Sequence, residues 1–207
     1  MTKVKVCGVT RPEQAERIAE IGADWIGVNF WPKSPRSVSL ELGKAVAASA
    51  RSAGAAVVGV FVNQDSDWIA GLLKEGVIDW AQLHGDEDDA AVRRFGAQCI
   101  RAVRLTGLEE VAHAELSPAP MLLVDAVTEN YGGSGIEANW NLAKKLVENR
   151  KKTLLAGGLT PDNVAQAIHA VGPYGVDVAS GVESEPGVKD LARVQVFIDR
   201  VRNADAG

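Results

Sequence analysis

The 207-residue sequence is poor in the residue types that form disulfide frameworks and metal centres. It contains only two cysteines, Cys7 and Cys99, and its three histidines, His84, His113 and His169, lie far apart with no HxH or HxxxH spacing. Two cysteines are too few for a disulfide scaffold, and neither has a Cys or His neighbour at metal-ligand spacing. We therefore expect no disulfide framework and no metal site.

Long hydrophobic runs and an excess of positive charge are also missing. No apolar run approaches the roughly 20 residues that span a bilayer, and Met1-Thr2-Lys3 leads into a predicted strand rather than into the apolar part of a signal peptide. A formal net charge of -5 gives no electrostatic basis for binding nucleic acid or an anionic membrane. We expect a cytoplasmic protein without nucleic-acid or membrane partners.

The composition is that of an ordinary globular protein. Hydrophobic residues make up 46% of the chain and charged residues 24%, which argues against disorder. This length suits one well-buried core and is slightly short for two domains. We expect one domain over residues 1–207.

The stretch from Lys3 to Pro12 reads as a strand that runs straight into a helix. Val4 and Val6 alternate with lysines, and Gly8 and Pro12 follow as turn and helix-start signals. Cys7 therefore lies at the carboxyl end of the strand, where parallel α/β proteins bind ligands. A thiol there is a candidate base or nucleophile, although from sequence alone a small buried hydrophobe is the more frequent outcome.

The same alternation of apolar strand and amphipathic helix continues along the chain and gives eight units. Strands this apolar on both faces predict a parallel sheet covered by helices, and eight units favour a lean, closed (β/α)₈ barrel. The later strands are predicted at Asp24–Phe30, Ala56–Val62, Ile78–Leu83, Gln98–Val103, Met121–Asp125, Thr153–Ala156 and Val176–Ala179. The helices are predicted at Pro12–Ile21, Leu40–Ala53, Asp67–Lys74, Asp86–Phe95, Leu108–Ala114, Trp140–Glu148, Pro161–Ala170 and Asp190–Arg202.

Two charged residues are placed near the predicted mouth of this barrel. Arg36, in the loop that follows the second strand, offers a planar fork suited to a carboxylate, but a solvated surface arginine is the alternative. Asp125 ends the apolar run MLLV as Cys7 ends VKV. A carboxylate at the end of a buried strand is unfavourable unless it is used or paired, so we favour a functional role over an N-cap or ion-pair role.

Glycine pairs follow the seventh and eighth strands. Gly157-Gly158 and Ser180-Gly181 free backbone N–H groups that can hold a phosphate without a cationic side chain, and barrels of this kind often bind phosphate there. Tight turns alone would also explain one pair. Gln82 and His84 close the fourth strand, where His84 is either a base or a neutral histidine bonded to its own loop.

Taken together, the segments VCGVTR, FWPKSPRSVS, GVFVN, QLHGDE, LLVDA followed by GGSG, LAGGLTPDNV and GVDVASGVES resemble the phosphoribosylanthranilate isomerase family of tryptophan biosynthesis. The resemblance extends from residue 3 to about residue 190 in matching order and spacing. It implies a (β/α)₈ barrel that converts N-(5-phosphoribosyl)anthranilate to its 1-deoxyribulose 5-phosphate isomer by an Amadori rearrangement without a cofactor. It also implies a monomer or a homodimer.

The resemblance further implies a role for each matching residue. Cys7 matches the general base and Asp125 the general acid, which requires their pKa values to be moved towards each other. Arg36 matches the residue that binds the anthranilate carboxylate, and Asp177 one that binds sugar hydroxyls. Gln82 and His84 are expected to contact the substrate, and the phosphate is expected at Gly157, Gly158, Ser180 and Gly181.

One loop departs from the family pattern. The family continues as GGTGKxFxW, whereas here Gly135 is followed by Ile136-Glu137-Ala138-Asn139-Trp140, without the Lys and the aromatic residue. The sequence leaves two alternative functions. The related sugar isomerase of histidine biosynthesis uses two aspartates, which Cys7 argues against, and a non-catalytic phosphosugar-binding barrel gives no reason for Cys7 and Asp125 to share one barrel mouth.

Overall fold

The computed structural model describes residues 1–126, 138–149 and 151–207. The glycine-rich segment from Tyr131 to Gly135 and the divergent residues Ile136 and Glu137 lie outside this range.

Eight parallel strands form a closed barrel in which each strand pairs with the next in the chain and the eighth pairs with the first. Each strand is followed by a helix, so the predicted (β/α)₈ architecture is confirmed. The strands are β1 (Lys3–Cys7), β2 (Trp25–Asn29), β3 (Ala56–Phe61), β4 (Trp80–Leu83), β5 (Cys99–Arg104), β6 (Met121–Asp125), β7 (Lys152–Leu155) and β8 (Gly175–Val178).

The helices begin where the sequence supplies a cap. Ser39, Asp65, Asp88, Asn139 and Asp190 each accept a hydrogen bond from a backbone N–H in the first turn of the following helix, which satisfies donors that have no partner within the helix. The helices are α1 (Pro12–Ile21), α2 (Leu40–Ser52), α3 (Ser66–Lys74), α4 (Asp89–Phe95), α5 (Leu108–Leu116), α6 (Trp140–Glu148), α7 (Val164–Val171) and α8 (Leu191–Ala206). In the described parts of the chain, none is long and apolar enough to cross a membrane.

Two helices begin three residues later than predicted. Helix α4 starts at Asp89 rather than Asp86 because the Asp88 side chain caps it, 2.9 Å from the N–H of Ala91. Helix α7 starts at Val164 rather than Pro161. There the Asn163 side chain accepts from the Thr160 N–H at 2.8 Å and donates to the Gly158 carbonyl at 3.0 Å, which holds residues 158–163 as a turn. Most other boundaries differ from the prediction by one or two residues, as fraying ends usually do.

The barrel has two apolar layers. Val4, Val6 and many helix residues fill the space between sheet and helices, whereas a smaller cluster fills the barrel interior. The members of the interior cluster are Trp25, Val58, Ile100, Met121, Leu123, Leu154 and Ala156. Trp25 and Trp80 begin their strands and pack edge to face at 6.3 Å. This aromatic contact lies at the amino end of the barrel, and the polar inward-facing residues lie nearer its carboxyl end.

A short hairpin that the sequence analysis does not predict follows strand β8. After a 3₁₀ turn at Ser180–Val182, strands β9 (Glu183–Glu185) and β10 (Val188–Lys189) pair antiparallel. The hairpin lies against the turn between β1 and α1, where the Thr10 hydroxyl donates to the Gly187 carbonyl at 2.6 Å. It therefore brings Glu183 and Lys189 to the barrel mouth.

Candidate active site

Cys7 and Asp125 lie at the carboxyl ends of β1 and β6, as predicted. These strands are three places apart around the closed barrel, so the two residues approach the mouth from different sides. Asp125 is buried and Cys7 is partly buried. The strand alternation that directs Val4 and Val6 towards the helices directs Cys7 into the barrel.

Lys5 also faces the interior, in register with Trp25 of the interior cluster. It is 0% exposed, and its ammonium donates to Asp177 Oδ1 at 2.9 Å. Although burial by itself lowers the pKa of a lysine, Asp177 and Cys7 raise the pKa of Lys5 above its ordinary value. Lys5 is therefore a buried cation held by a carboxylate from the neighbouring strand β8.

Burial and nearby charges act in opposite directions on the Cys7 thiol. Burial has the largest effect and raises its pKa, and Asp177 adds to this rise, whereas Lys5 and Lys189 lower it. The net result is a pKa above the ordinary value. Burial therefore favours the thiol over the thiolate at this position.

Asp125 is the end of a hydrogen-bonded chain of three buried side chains. Gln82 Nε2 lies 2.7 Å from His84 Nδ1, and His84 Nε2 lies 3.1 Å from Asp125 Oδ2. If the Gln82 amide donates to Nδ1, the ring proton is on Nε2 and is donated to the carboxylate. Burial raises the pKa of Asp125, but His84, the Ala126 N–H and Arg104 together lower it below the ordinary value.

The two pKa values therefore move apart, whereas the predicted acid and base roles require them to approach each other. The physical reason is that each group is surrounded by what stabilises its resting form. Asp125 accepts hydrogen bonds from His84 and from the Ala126 N–H, and the sulfur of Cys7 is largely removed from water.

Arg36 lies at the mouth, but its guanidinium is already engaged. Nε and Nη2 donate to Glu183 Oε1 and Oε2 at 2.8 and 2.7 Å, and the two side chains are only 11% and 5% exposed. The same carboxylate accepts from Lys189 Nζ at 2.6 Å and from the Gly187 N–H at 3.2 Å. Although burial by itself raises it, Arg36 and Lys189 lower the pKa of Glu183.

The two glycine turns predicted to bind phosphate pack directly against each other. Gly157 and Gly158 have φ values of +78° and +65°, a region that favours glycine. A Cβ on Gly181 would lie 2.0 Å from the carbonyl oxygen of Leu159. The structure thus brings the turns after β7 and β8 into backbone contact, and Ser180 is the first residue of the second turn.

Sequence analysis missed Lys5, Glu183 and Lys189 as site residues. Lys5 had a usable signal, because residues two apart on a strand share a face with each other and Cys7 was already a candidate. Glu183 and Lys189 had no such signal in the sequence, since Glu183 pairs with the remote Arg36 and Lys189 joins the cluster through Glu183. In the described residues, no group of three or more His, Cys, Asp or Glu side chains could hold a metal ion.

A protein-family model and curated relatives match this chain over most of its length. The family model described as N-(5'-phosphoribosyl)anthranilate (PRA) isomerase matches residues 4–200. A relative from Myxococcus xanthus, named N-(5'-phosphoribosyl)anthranilate isomerase, is 44% identical over 200 residues, covering 95% of this chain and 94% of its own length.

Solved structures of phosphoribosylanthranilate isomerases have a similar fold. One is of monomers generated from a dimeric phosphoribosylanthranilate isomerase of Thermotoga maritima, with a TM-score of 0.86 and 32% identity over 98% of this chain and 100% of that one. Another is a phosphoribosyl anthranilate isomerase in complex with reduced 1-(o-carboxyphenylamino)-1-deoxyribulose 5-phosphate, with the same score, identity and coverage.

Proposed function

The chain belongs to the N-(5'-phosphoribosyl)anthranilate isomerase family, and we propose that it catalyses its reaction with Asp125 as general acid and Cys7 as general base. As a member of this family it is an enzyme, an isomerase of tryptophan biosynthesis. The proposed product is 1-(2-carboxyphenylamino)-1-deoxyribulose 5-phosphate, formed by an Amadori rearrangement. We also propose a single barrel domain, as a monomer or homodimer, in the cytoplasm.

The reaction needs one proton delivered and one removed. Asp125 protonates the furanose ring oxygen, the bond between that oxygen and C1 breaks, and the nitrogen lone pair forms the C1=N iminium. The Cys7 thiolate then takes the C2 proton, and the electrons of the C2–H bond form the C1=C2 double bond of an enolamine. The enolamine loses its hydroxyl proton and gains one at C1, which gives the ketone without net gain or loss of atoms.

These roles require Asp125 to be protonated and Cys7 to be deprotonated, which is the less stable distribution of protons between the two groups. Ordinary pKa values of Asp and Cys are about 3.9 and 8.5, so the form with a neutral acid and a thiolate would be about 10⁻⁵ of the enzyme near neutral pH. The shifts in the unliganded site make it rarer still. For such a pair, the acidic limb of the pH profile of kcat/KM reports Asp125 and the alkaline limb reports Cys7.

We propose that substrate binding stabilises the protonated form of Asp125 and the thiolate form of Cys7. As the ring opens, the iminium becomes positively charged next to Cys7, which favours the thiolate. The ring oxygen gains negative charge next to Asp125, which draws the proton to it. Gln82 and His84 are buried, so we propose that they hold Asp125 in place rather than contact the sugar.

Arg36 is the proposed site for the anthranilate carboxylate. Because Glu183 takes Nε and Nη2, the substrate would use the edge of the guanidinium that carries Nη1. Glu183 then fixes the plane of the fork before substrate arrives, as preorganised recognition requires. Asp177 uses Oδ1 for Lys5, and Oδ2 is proposed to accept from a sugar hydroxyl.

Phosphate is proposed to bind at the backbone N–H groups of Gly157, Gly158, Ser180 and Gly181. Neither turn contains a lysine or arginine, so the N–H groups and local backbone dipoles would carry the interaction. The contact between the turns supports one shared site rather than two.

The observation that carries the proposal is the pair of reactive groups at the ends of β1 and β6 in a barrel of this family. The test is an isomerase assay with phosphoribosylanthranilate on this chain and on Cys7→Ser and Asp125→Asn. General acid or base groups contribute about 10² to 10⁴ in rate, so kcat should fall by that factor with little change in KM. Near-full turnover by either variant would refute the role of that residue.

A further inference from the structure

Lys5 lies directly below Cys7 on the same strand, with its ammonium close to the sulfur. A Cβ on Gly27 of the neighbouring strand would lie 2.8 Å from Cys7 Sγ and 3.1 Å from Lys5 Nζ, so both atoms border one small space. The ammonium and the sulfur are therefore close enough for the charge of each to affect the other. Glycine at position 27 is what leaves room for this contact.

The charged groups that act on Cys7, taken together with the carboxylates that pair with them, have one more positive than negative charge. Lys5 of β1, Lys189 of β10 and Arg36 of the β2–α2 loop are cations, and Asp177 of β8 and Glu183 of β9 are the carboxylates that pair with them. Buried charge is unfavourable unless it is compensated. A thiolate at Cys7 would complete the compensation.

We propose that Lys5 is a positioning residue that stabilises Cys7 as the thiolate. Its ammonium, tethered by Asp177, pairs with the sulfur when the thiol loses its proton. When the sulfur takes the C2 proton, an S–H bond forms, a C–H bond breaks, and the ammonium keeps Asp177 as its partner. Lys5 is therefore paired in both states of the base. The catalytic use of this contact rests on the proposed function, whereas the contact itself does not.

The test is a titration of the Cys7 thiol, followed by thiolate ultraviolet absorbance, with the Cys7→Ser chain subtracted to remove Cys99. Lys5→Met should raise the apparent pKa of Cys7 by about 1 to 3 units, and Asp177→Asn should lower it, because the remaining ammonium is no longer neutralised. Lys5→Arg should keep most of the effect of lysine. Lys3→Met, which removes the same charge from the same strand where Lys3 pairs with Asp24, should leave the titration unchanged.

Shifts of opposite sign separate electrostatic control from loss of structure, which would move both variants in one direction. Should Lys5→Met fail to fold, the double variant Lys5→Met/Asp177→Asn removes both buried charges. It should still raise the pKa, by less than Lys5→Met would, because the charge of Lys5 affects Cys7 more than that of Asp177. An unchanged titration in the folded variant, or shifts of the same sign, would overturn the proposal.

Kinetics distinguish this proposal from the proposed function. If Cys7 is the base, the alkaline limb of the kcat/KM profile should move with the titration in Lys5→Met and Asp177→Asn. If Cys7→Ser keeps full isomerase activity while the titration still shifts, the Lys5 contact stands and the base assignment fails. If Cys7→Ser is inactive and the titration does not shift, the base assignment stands and the Lys5 proposal fails.

Discussion

Glu183→Gln tests the buried charge cluster at the barrel mouth. The Glu183 carboxylate accepts four hydrogen bonds, two from Arg36, one from Lys189 and one from the Gly187 N–H. Glutamine has one acceptor oxygen, so its NH₂ group must face at least one of these donors. Buried Lys189 and partly buried Arg36 also lose the charge that neutralises them. Removing one partner of a buried ion pair typically lowers the free energy of unfolding by about 3 to 5 kcal/mol.

For a chain of this length, that loss corresponds to a fall in Tm of about 6 to 20 °C. Thermal and urea unfolding of Glu183→Gln and of the parent chain would measure it. Glu75→Gln is the matched control, because the Lys44–Glu75 pair is exposed, with side-chain accessibilities of 49% and 62%, and should change stability by less than about 0.5 kcal/mol. Equal Tm values for Glu183→Gln and Glu75→Gln would refute the view that this cluster stabilises the fold.

The pH dependence of the stability of Glu183→Gln gives a second test. The pKa of Glu183 is lowered in the folded chain, so its contribution to stability is present above the unfolded pKa of about 4.3 and is lost as the pH falls through the folded pKa. The difference in unfolding free energy between the parent chain and Glu183→Gln should therefore be full at pH 7 and shrink below about pH 4. If the difference in unfolding free energy instead increased at lower pH, the lowered pKa of Glu183 would be contradicted. KM for substrate should also rise in Glu183→Gln, because Arg36 loses the carboxylate that holds its guanidinium.

Two further changes test other parts of the site. His84→Asn removes the imidazole from Asp125, and because burial then dominates, the pKa of Asp125 should rise and the acidic limb of kcat/KM should move to higher pH; a shift to lower pH would contradict this. Gly181→Ala places a methyl group against the Leu159 carbonyl and should raise KM through the phosphate turns with little change in kcat, measured by steady-state kinetics. Gly71→Ala, whose Cβ meets nothing within 4 Å, is its control and should leave KM unchanged.

The positions of Cys7 and Asp125 were predictable because each ends a strand that the apolar pattern defines. Period two and a following turn fix which residue is last in the strand, and parallel strands of a barrel all present that end to one face. The closed barrel followed from the number of units. Helix starts were less predictable. Asp88 competes with neighbouring acidic residues to cap α4, and the Asn163 side chain bonds to the preceding turn rather than capping α7.

The two-residue spacing from Cys7 indicates the face on which Lys5 lies, but the burial of Lys5 and the partner that stabilises it were not predictable from the pattern. Lysine alternating with valine usually indicates a strand with one solvated face, but in a barrel both faces are buried. A lysine can occupy the inner face only with a partner, and Asp177 lies 172 positions away in the chain. Strands of three and two residues, such as β9 and β10, are likewise too short for periodicity to reveal.

Lys5 and Arg36 are held in the same way, and this arrangement would limit side-chain movement in the site during the proposed reaction. Each cation is held by a buried carboxylate, Asp177 for Lys5 and Glu183 for Arg36. We therefore expect each cation to keep its position whether or not its proposed second partner, the sulfur for Lys5 or the substrate carboxylate for Arg36, carries a charge. Groups fixed in this way stabilise developing charge without reorienting when it appears. Asp177 also raises the pKa of the Cys7 thiol and so offsets part of the effect of Lys5. In the proposed mechanism, the positive charge of the substrate iminium is what then favours the thiolate.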